Sequence, residues 1–520
     1  MQELNITLDS SGGSCLYEQI YLFIRNGIRE GRLRPGERLP STRALASFLS
    51  IARSTVQSAY DQLLSEGYIE PKRNRGYFVC DIENLFSFPE KRERNARDGL
   101  RRESSEPPEE DGVWREGTGL RREENGARRE EAGARREERC GEREERPRID
   151  FSPRRIDMSH FPYQTWKRIS RNTLVDANSE MFSLGEPNGD LSFRETIARY
   201  LYLSRGVCCS EEQIVIGAGN DFLLLLLREI LGGDRRIGME YATYRRACRI
   251  FESVGYHIVP AGMDESGMQV SSLRSGDCSL AYVMPAHQYP TGVTMPIARR
   301  LELLSWAAEG RDRWIIEDDY DSEFRYRGRP IPSLQASDTA GCVIYIGTFS
   351  KAIAPAIRVS YMILPPALAR VYHERFRFFS STVSRLDQRQ LDGFLRGGFF
   401  ERYLNRMRNR YRMKHDIMIR ELRDFSSRFA LLGEGAGLHL LLRERQEMPP
   451  EKCMEKEKAL EREACAAGVR IYPLSENFAV PPERLPREQI CYPAILLGYA
   501  ALSPEEIREG VRVLRGIWLS

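Results

Sequence analysis

Lys351 closes the stretch Gly347-Thr348-Phe349-Ser350-Lys351, which follows the apolar run Cys342 to Ile346. A lysine amine framed by small hydroxyl residues at the end of a buried strand is placed for Schiff-base chemistry. Pyridoxal phosphate is a cofactor that needs such an amine, with phosphate donors beside it and an acid under its ring nitrogen. Ser350 and Arg358 are the candidate phosphate donors, and Asp318 the candidate acid. Asp318 belongs to Glu317-Asp318-Asp319-Tyr320, which ends a second apolar run, Trp314 to Ile316. Taken singly, the two stretches read equally as a surface lysine and a solvated acidic turn. Together, each at a strand's end, they point to cofactor binding.

Such a site needs a sheet to carry it. Ile214-Val215-Ile216 precedes Gly217-Ala218-Gly219-Asn220 and a leucine-rich helix, and apolar runs return at Leu280 to Met284, Trp314 to Ile316 and Cys342 to Ile346, with helical spacing from Ile297 to Ala308. Alternating strands and helices predict an α/β domain over residues 149–520, built on a mostly parallel sheet covered on both faces. Residues 366–425 read as Arg-rich helices and 428–520 as mixed strands and helices, so a smaller C-terminal subdomain is expected at about 366–520.

The first 80 residues read differently. Leu16, Ile20, Ile24 and Ile28 recur at helical spacing, Gly31, Pro35 and Gly36 break the pattern, and Pro40-Ser41 opens a short second helix. Ser54 and Gln57 match a capping box at the start of a third helix. Tyr68 to Glu70 and Tyr77 to Val79 flank the basic turn Lys72-Arg73-Asn74-Arg75-Gly76. Three helices and a hairpin over 10–80 predict a mainly α winged helix-turn-helix. Such a unit presents the amino end of its third helix to the major groove. Candidate DNA contacts are Ser41, Arg43, Arg53, Ser54, Thr55 and Gln57, with Arg75 and Gly76 at the wing; capping competes with DNA contact for Ser54 and Gln57.

Between the two units, residues 81–148 hold 17 Lys/Arg and 20 Asp/Glu with few large apolar residues, too little to offset the entropy of ordering. A charged linker is expected. Gly119-Leu-Arg-Arg-Glu-Glu124, Gly126-Ala-Arg-Arg-Glu-Glu131 and Gly133-Ala-Arg-Arg-Glu-Glu138 repeat within it every seven residues without the apolar seam of a coiled coil. As a random coil it would span roughly 40–50 Å.

Composition bounds the rest. The 520 residues exceed one ordinary core. A net charge of +3 from 78 basic and 75 acidic residues gives no overall pull towards nucleic acid or membrane, so a DNA-binding surface has to be local. Eleven scattered cysteines without a CxxC pair argue for reduced thiols and against a zinc site. The longest apolar run, Phe222 to Leu227, is too short to span a bilayer, and no signal-peptide pattern is present, so a cytoplasmic location is expected.

Leu33-Arg34-Pro35-Gly36-Glu37-Arg38-Leu39-Pro40-Ser41-Thr42-Arg43, with Ser54-Thr55-Val56 and Gly67-Tyr68-Ile69, resembles the DNA-binding domain of the GntR superfamily. The remainder resembles the fold-type I aminotransferase domain of that superfamily's MocR-type branch. The likeness is carried by Phe161-Pro162 with Trp166, Ile216-Gly-Ala-Gly219, His287-Gln-Tyr-Pro-Thr-Gly292, Glu317 to Phe324, Gly347 to Lys351, Ser381 to Arg385 and Gly437-Leu-His439.

The resemblance implies that Lys351 forms the internal aldimine with pyridoxal 5'-phosphate and that Asp318 pairs with the pyridinium nitrogen. It implies that Ala218, Gly219 and Asn220 present amides to the phosphate, with Ser350 and Arg358. Tyr244 would stack on the ring and Tyr320 stand beside its phenolic edge, core packing being the competing reading of both. Arg246 and Arg470 match positions that hold an effector carboxylate. His287 and Gln288 stand where aminotransferases carry an asparagine-centred turn, and His287 is a candidate cofactor contact.

Three functions follow from the resemblance: a homodimeric regulator that binds operator DNA and senses an amine or amino acid by external aldimine formation, an aminotransferase with a DNA-binding appendage, or a sensor of pyridoxal phosphate itself.

Overall fold

The computed structural model describes residues 6, 8, 15–30, 32–72, 75–80, 148–175, 181–326, 331–485 and 491–519. Arg73 and the charged repeats of the expected linker lie outside them.

Helix α1 (Leu16–Arg29) buries Ile20, Ile24 and Ile28, the residues whose four-residue spacing forecast it. They pack against Val56, Ala59, Tyr60 and Leu63 of α3 (Arg53–Glu66) in one apolar cluster. Between them α2 (Thr42–Phe48) starts where the Ser41 hydroxyl accepts from the Ala44 amide at 3.1 Å. The capping box expected at Ser54 and Gln57 does not form. Helix α3 begins at Arg53 with Ala52 as its cap, so Ser54 already has helical geometry, and the Gln57 amide turns to Asp61 at 2.9 Å. Strands β1 (Ile69–Lys72) and β2 (Gly76–Val79) pair antiparallel as the wing.

The larger domain follows β3 (Ile149–Asp150) and α4 (Leu191–Arg205). It continues through β4 (Ile214–Gly217), α5 (Asn220–Leu231), β5 (Arg236–Glu240), α6 (Arg245–Ser253), β6 (His257–Ala261) and β7 (Leu280–Val283). Then come α7 (Ile297–Ala308), β8 (Trp314–Asp319), β9 (Val343–Thr348), the single turn α8 (Phe349–Ala352) and β10 (Ser360–Ile363). One seven-stranded sheet results, in the order β4-β10-β9-β8-β7-β5-β6. Its pairs are parallel except where β10 runs antiparallel to β9 and β4. All residues of β7 and β8 are buried, which is why both read as unbroken apolar runs up to the acidic end of β8.

Helices α9 (Arg385–Arg396) and α10 (Phe399–Glu421) lead to the smaller subdomain. It holds β11 (Phe429–Leu432), β12 (His439–Glu444), α11 (Pro450–Ala466), β13 (Val469–Arg470), β14 (Tyr472–Pro473), β15 (Ala494–Gly498) and α12 (Pro504–Trp518). Four of these strands form an antiparallel sheet in the order β11-β12-β15-β14. The short β13 pairs with β3, Arg470 opposite Asp150, and so ties the segment after residue 148 to this subdomain.

The winged helix rests on α7: Ile297 and Leu301 complete its apolar cluster. None of the described helices is long and apolar enough to cross a membrane.

Candidate functional site: a lysine and an aspartate at neighbouring strand ends

Parallel register does the first positioning. Asp318 in β8 stands opposite Ile346 in β9, so the chain beyond β9 turns into α8 just past the aspartate and places Lys351 at the same edge of the sheet. Ligands of open α/β sheets bind at this carboxyl edge of the strands.

Asp318 is buried and held from two sides. Tyr282, paired through β7 with β8, donates its hydroxyl to Oδ2, and the Asn220 amide nitrogen reaches both carboxylate oxygens at 3.3 and 3.4 Å. Burial pushes the carboxyl up to about 6, against the downward pull of the Tyr282 hydrogen bond. The flanking acids serve the fold. Glu317 accepts from the amides of Leu334 and Gln335, and Asp319 forms a buried pair with Arg205 at 2.7 Å and accepts from Tyr345 at 2.6 Å. Of this acidic run, Asp318 is the member bonded to Asn220 at the start of α5.

Lys351 donates from Nζ to the Pro153 carbonyl at 2.8 Å. Loss of water pulls its ammonium down to about 8; the Asp321 carboxylate opposes that shift and the Arg154 guanidinium adds to it. An amine brought this near neutrality is a nucleophile that a solvated lysine is not.

Small hydroxyls and arginines collect beside it. Thr348 caps α8 by accepting from the Ser350 amide at 3.2 Å, while Ser350 Oγ is buried without a hydrogen-bond partner among the described residues. Gly219 has φ 89°, and a Cβ there would lie 2.3 Å from Arg358 Nη2, so only glycine lets the guanidinium close over the turn. Arg358 and Arg246 share the Asp221 carboxylate, at 3.2 and 2.5 Å.

Two expected amide contacts are otherwise engaged. The Ala218 amide donates to the Thr382 hydroxyl at 3.0 Å and the Gly219 amide to the Gly217 carbonyl at 2.8 Å, because the β4–α5 turn closes on itself before the helix begins. Asn220 supplies a side chain to Asp318 where a backbone donor was expected.

Rings line the rest. Tyr289 meets Tyr244, Tyr320 and His439 with centroids 6.3, 6.0 and 5.5 Å apart, each pair steeply inclined. His287 Nδ1 lies 3.0 Å from both Asp321 oxygens and 2.9 Å from the Tyr320 hydroxyl, and the ring packs so tightly that a Cβ on Gly437 would fall 1.9 Å from it. His287 is thus a tied, buried member of the wall. Arg470 does not join this cluster; its guanidinium lies over the Tyr472 ring, centroid 5.5 Å away, near the Glu461 carboxylate.

In the winged helix the exposed residues Ser41, Arg43, Arg53, Ser54, Arg75 and Gly76 and the half-buried Thr55 and Gln57 lie on α2, on α3 and at the wing. Arg38 adds a cation the motif reading missed, since a Cβ on Gly76 at the wing would stand 3.7 Å from its Nε.

Residues 16–79 match the family of bacterial regulatory proteins called gntR. The chain is 36% identical to the uncharacterized HTH-type transcriptional regulator YdeL of Bacillus subtilis, over 99% of this chain and 98% of the relative. It is 30% identical to the probable rhizopine catabolism regulatory protein MocR of Rhizobium meliloti, over 99% of this chain and 96% of that one. The chain belongs to the MocR-type HTH transcriptional regulators. Among solved structures, the larger domain of this MocR-type chain is similar to the multiple substrate aminotransferase of Thermococcus profundus, with a TM-score of 0.61 and 25% identity over 71% of this chain and 90% of that one. A MocR-type regulator therefore joins a GntR helix-turn-helix to an aminotransferase fold, as the motifs forecast.

Pyridoxal phosphate fits the residues present. Among the described residues Ser350 Oγ and Asn220 Oδ1 are buried without a hydrogen-bond partner, and a Cβ on Gly219 would collide with the Arg358 guanidinium. A phosphate would answer the hydroxyl and the arginine, and a pyridinium would answer Asp318.

Proposed function

We propose that this regulator holds pyridoxal phosphate at Lys351 and uses the site to sense a small amine or amino acid, the outcome being a change in how its winged helix engages operator DNA. The observation that carries the reading is the pair Lys351 and Asp318, one an amine near neutrality and the other a carboxylate steadied by Tyr282 and Asn220. Pyridoxal phosphate supplies an aldehyde that condenses with amines. Lys351 offers the amine that anchors it, and Asp318 keeps the ring nitrogen protonated. With the cofactor bound, Ser350 and Arg358 would hold its phosphate, and Tyr244, Tyr320 and His287 would line the site around it. An effector amine that takes the place of Lys351 makes contacts the lysine did not, which is the differential binding any switch requires.

At the other end, Arg53, Ser54, Thr55 and Gln57 of α3 read the major groove with Ser41 and Arg43 of α2 beside them, while Arg75 and Gly76 follow the wing onto the backbone. The chain acts as a homodimer in the cytoplasm. Exposed Tyr163, Phe182 and Leu184, the last 92% accessible, are the apolar surface a second copy would cover.

The test is the absorbance of purified full-length protein with pyridoxal phosphate, alongside Lys351→Ala, read together with operator binding. Wild type is expected to develop a lysine-linked cofactor band that the variant lacks, and an effector amine to alter both the band and DNA affinity in wild type alone. Absence of the band in wild type overturns the reading; steady turnover of an amine with a keto acid makes the chain an aminotransferase instead.

A further inference from the structure

The arginines near the site differ in what already holds them. Arg246 and Arg358 share Asp221, and Arg470 lies over Tyr472 outside the cluster. Arg154 is the exception: it is exposed, and among the described residues no carboxylate forms an ion pair with it. It directly follows Pro153, whose carbonyl takes the Lys351 ammonium at 2.8 Å, so the chain carries this guanidinium to the lysine itself. Its guanidinium acts on the Tyr289 phenol, opposing the upward push that burial gives that hydroxyl. Tyr289 is also the centre of the ring wall, edge-on to Tyr244, Tyr320 and His439.

We infer that Arg154 binds the carboxylate of the effector, with the Tyr289 hydroxyl beside it, and that the effector is therefore a small amino carboxylic acid and not a simple amine. The inference rests on the reading of Lys351 as the amine-exchange site. A carboxylate needs a fork of donors, which a guanidinium not already held by an acid supplies. An amine reacting at Lys351 would have its carboxylate at the adjacent residue of the same loop. Arg246 stays with Asp221 and Arg358 at the phosphate end, and Arg470 holds the rim of the small subdomain.

The experiment titrates cofactor-loaded full-length protein with matched probes, alanine and β-alanine against ethylamine, which lacks the carboxylate. The readouts are cofactor absorbance and calorimetry, for wild type, Arg154→Gln, Arg154→Lys and Arg470→Gln. Wild type is expected to prefer at least one of the acids to the amine by about tenfold or more, the scale of a charge-assisted hydrogen bond. Arg154→Gln loses that preference, read as the ratio of acid to ethylamine affinity within each protein so that any shift in Lys351 titration cancels, Arg154→Lys recovers part of it, and Arg470→Gln keeps it. An undiminished preference in Arg154→Gln, or none in wild type, overturns the inference. A wild type that captures no cofactor, seen before any probe is added, overturns the underlying reading and this inference with it.

Discussion

The depressed ammonium of Lys351 makes cofactor capture a function of pH in a way that can be worked out. An ordinary lysine titrates near 10.5 and Lys351 at about 8, so at pH 7 the neutral amine is about 300 times more abundant than on a solvated lysine. Only the neutral amine attacks an aldehyde. The rate at which the cofactor-free chain captures pyridoxal phosphate should rise about tenfold per pH unit up to about 8 and then level off. Arg154→Gln removes a neighbouring positive charge and moves the break upward, while Asp321→Asn removes the carboxylate that supports the ammonium and moves it downward. Stability carries the same signature. The folded chain releases this proton before the unfolded chain does, so stability rises between pH 8 and 10.5, and below 8 the enclosed ammonium costs up to about 3 kcal/mol, reduced by its partial exposure to roughly 1–2. Stopped-flow absorbance across pH 6 to 10 gives the capture curve, and denaturation of Lys351→Met against wild type gives the stability difference. A capture rate still climbing about tenfold per unit between pH 9 and 10 would refute the argument, because it would mean that Lys351 titrates like a solvated lysine.

Three further outcomes are expected. Gly219→Ala forces a side chain into a left-handed turn and against Arg358; it should weaken cofactor binding by about tenfold or more, seen as a higher pyridoxal phosphate concentration for half-saturation, with the DNA-binding unit unaffected. In the winged helix, Arg53→Ala should cost about 1–3 kcal/mol on the preferred operator and relax its sequence preference, whereas Arg75→Ala should weaken all DNA alike and flatten the salt dependence, both readable by binding titrations at several salt concentrations.

Much of the architecture was legible because burial writes itself into sequence. The runs Trp314 to Ile316 and Cys342 to Ile346 are central parallel strands buried on both faces, and the parallel register brings a lysine and an acid at their ends to one edge of the sheet. What remained hidden were contacts between side chains distant in the chain and free of any local pattern. Tyr282 is one apolar-looking residue inside a strand, yet its hydroxyl finds Asp318. Arg154 sits in a loop without a motif, and only the fold shows that its neighbour Pro153 meets a lysine 198 positions away. Ser54 and Gln57 show the converse. Their spacing suits a cap, but with Ala52 at the boundary the helix starts two residues earlier and leaves the pattern without a job.

The docking of the winged helix gives α3 two working ends. At its carboxyl end Glu66 is buried against Tyr21 and Gln62, and Gly67 comes so close to α7 that an added Cβ would lie 2.7 Å from Pro296. At its amino end stand Arg53 and Ser54. Fourteen helical residues separate these ends by about 20 Å of stiff rod. Pivoting at the Gly67 contact by about 10° would sweep Arg53 through roughly 3.5 Å, about the rise of one base pair. A small tilt of α7 would thus be magnified at the amino end of α3, with no need for the domains to part.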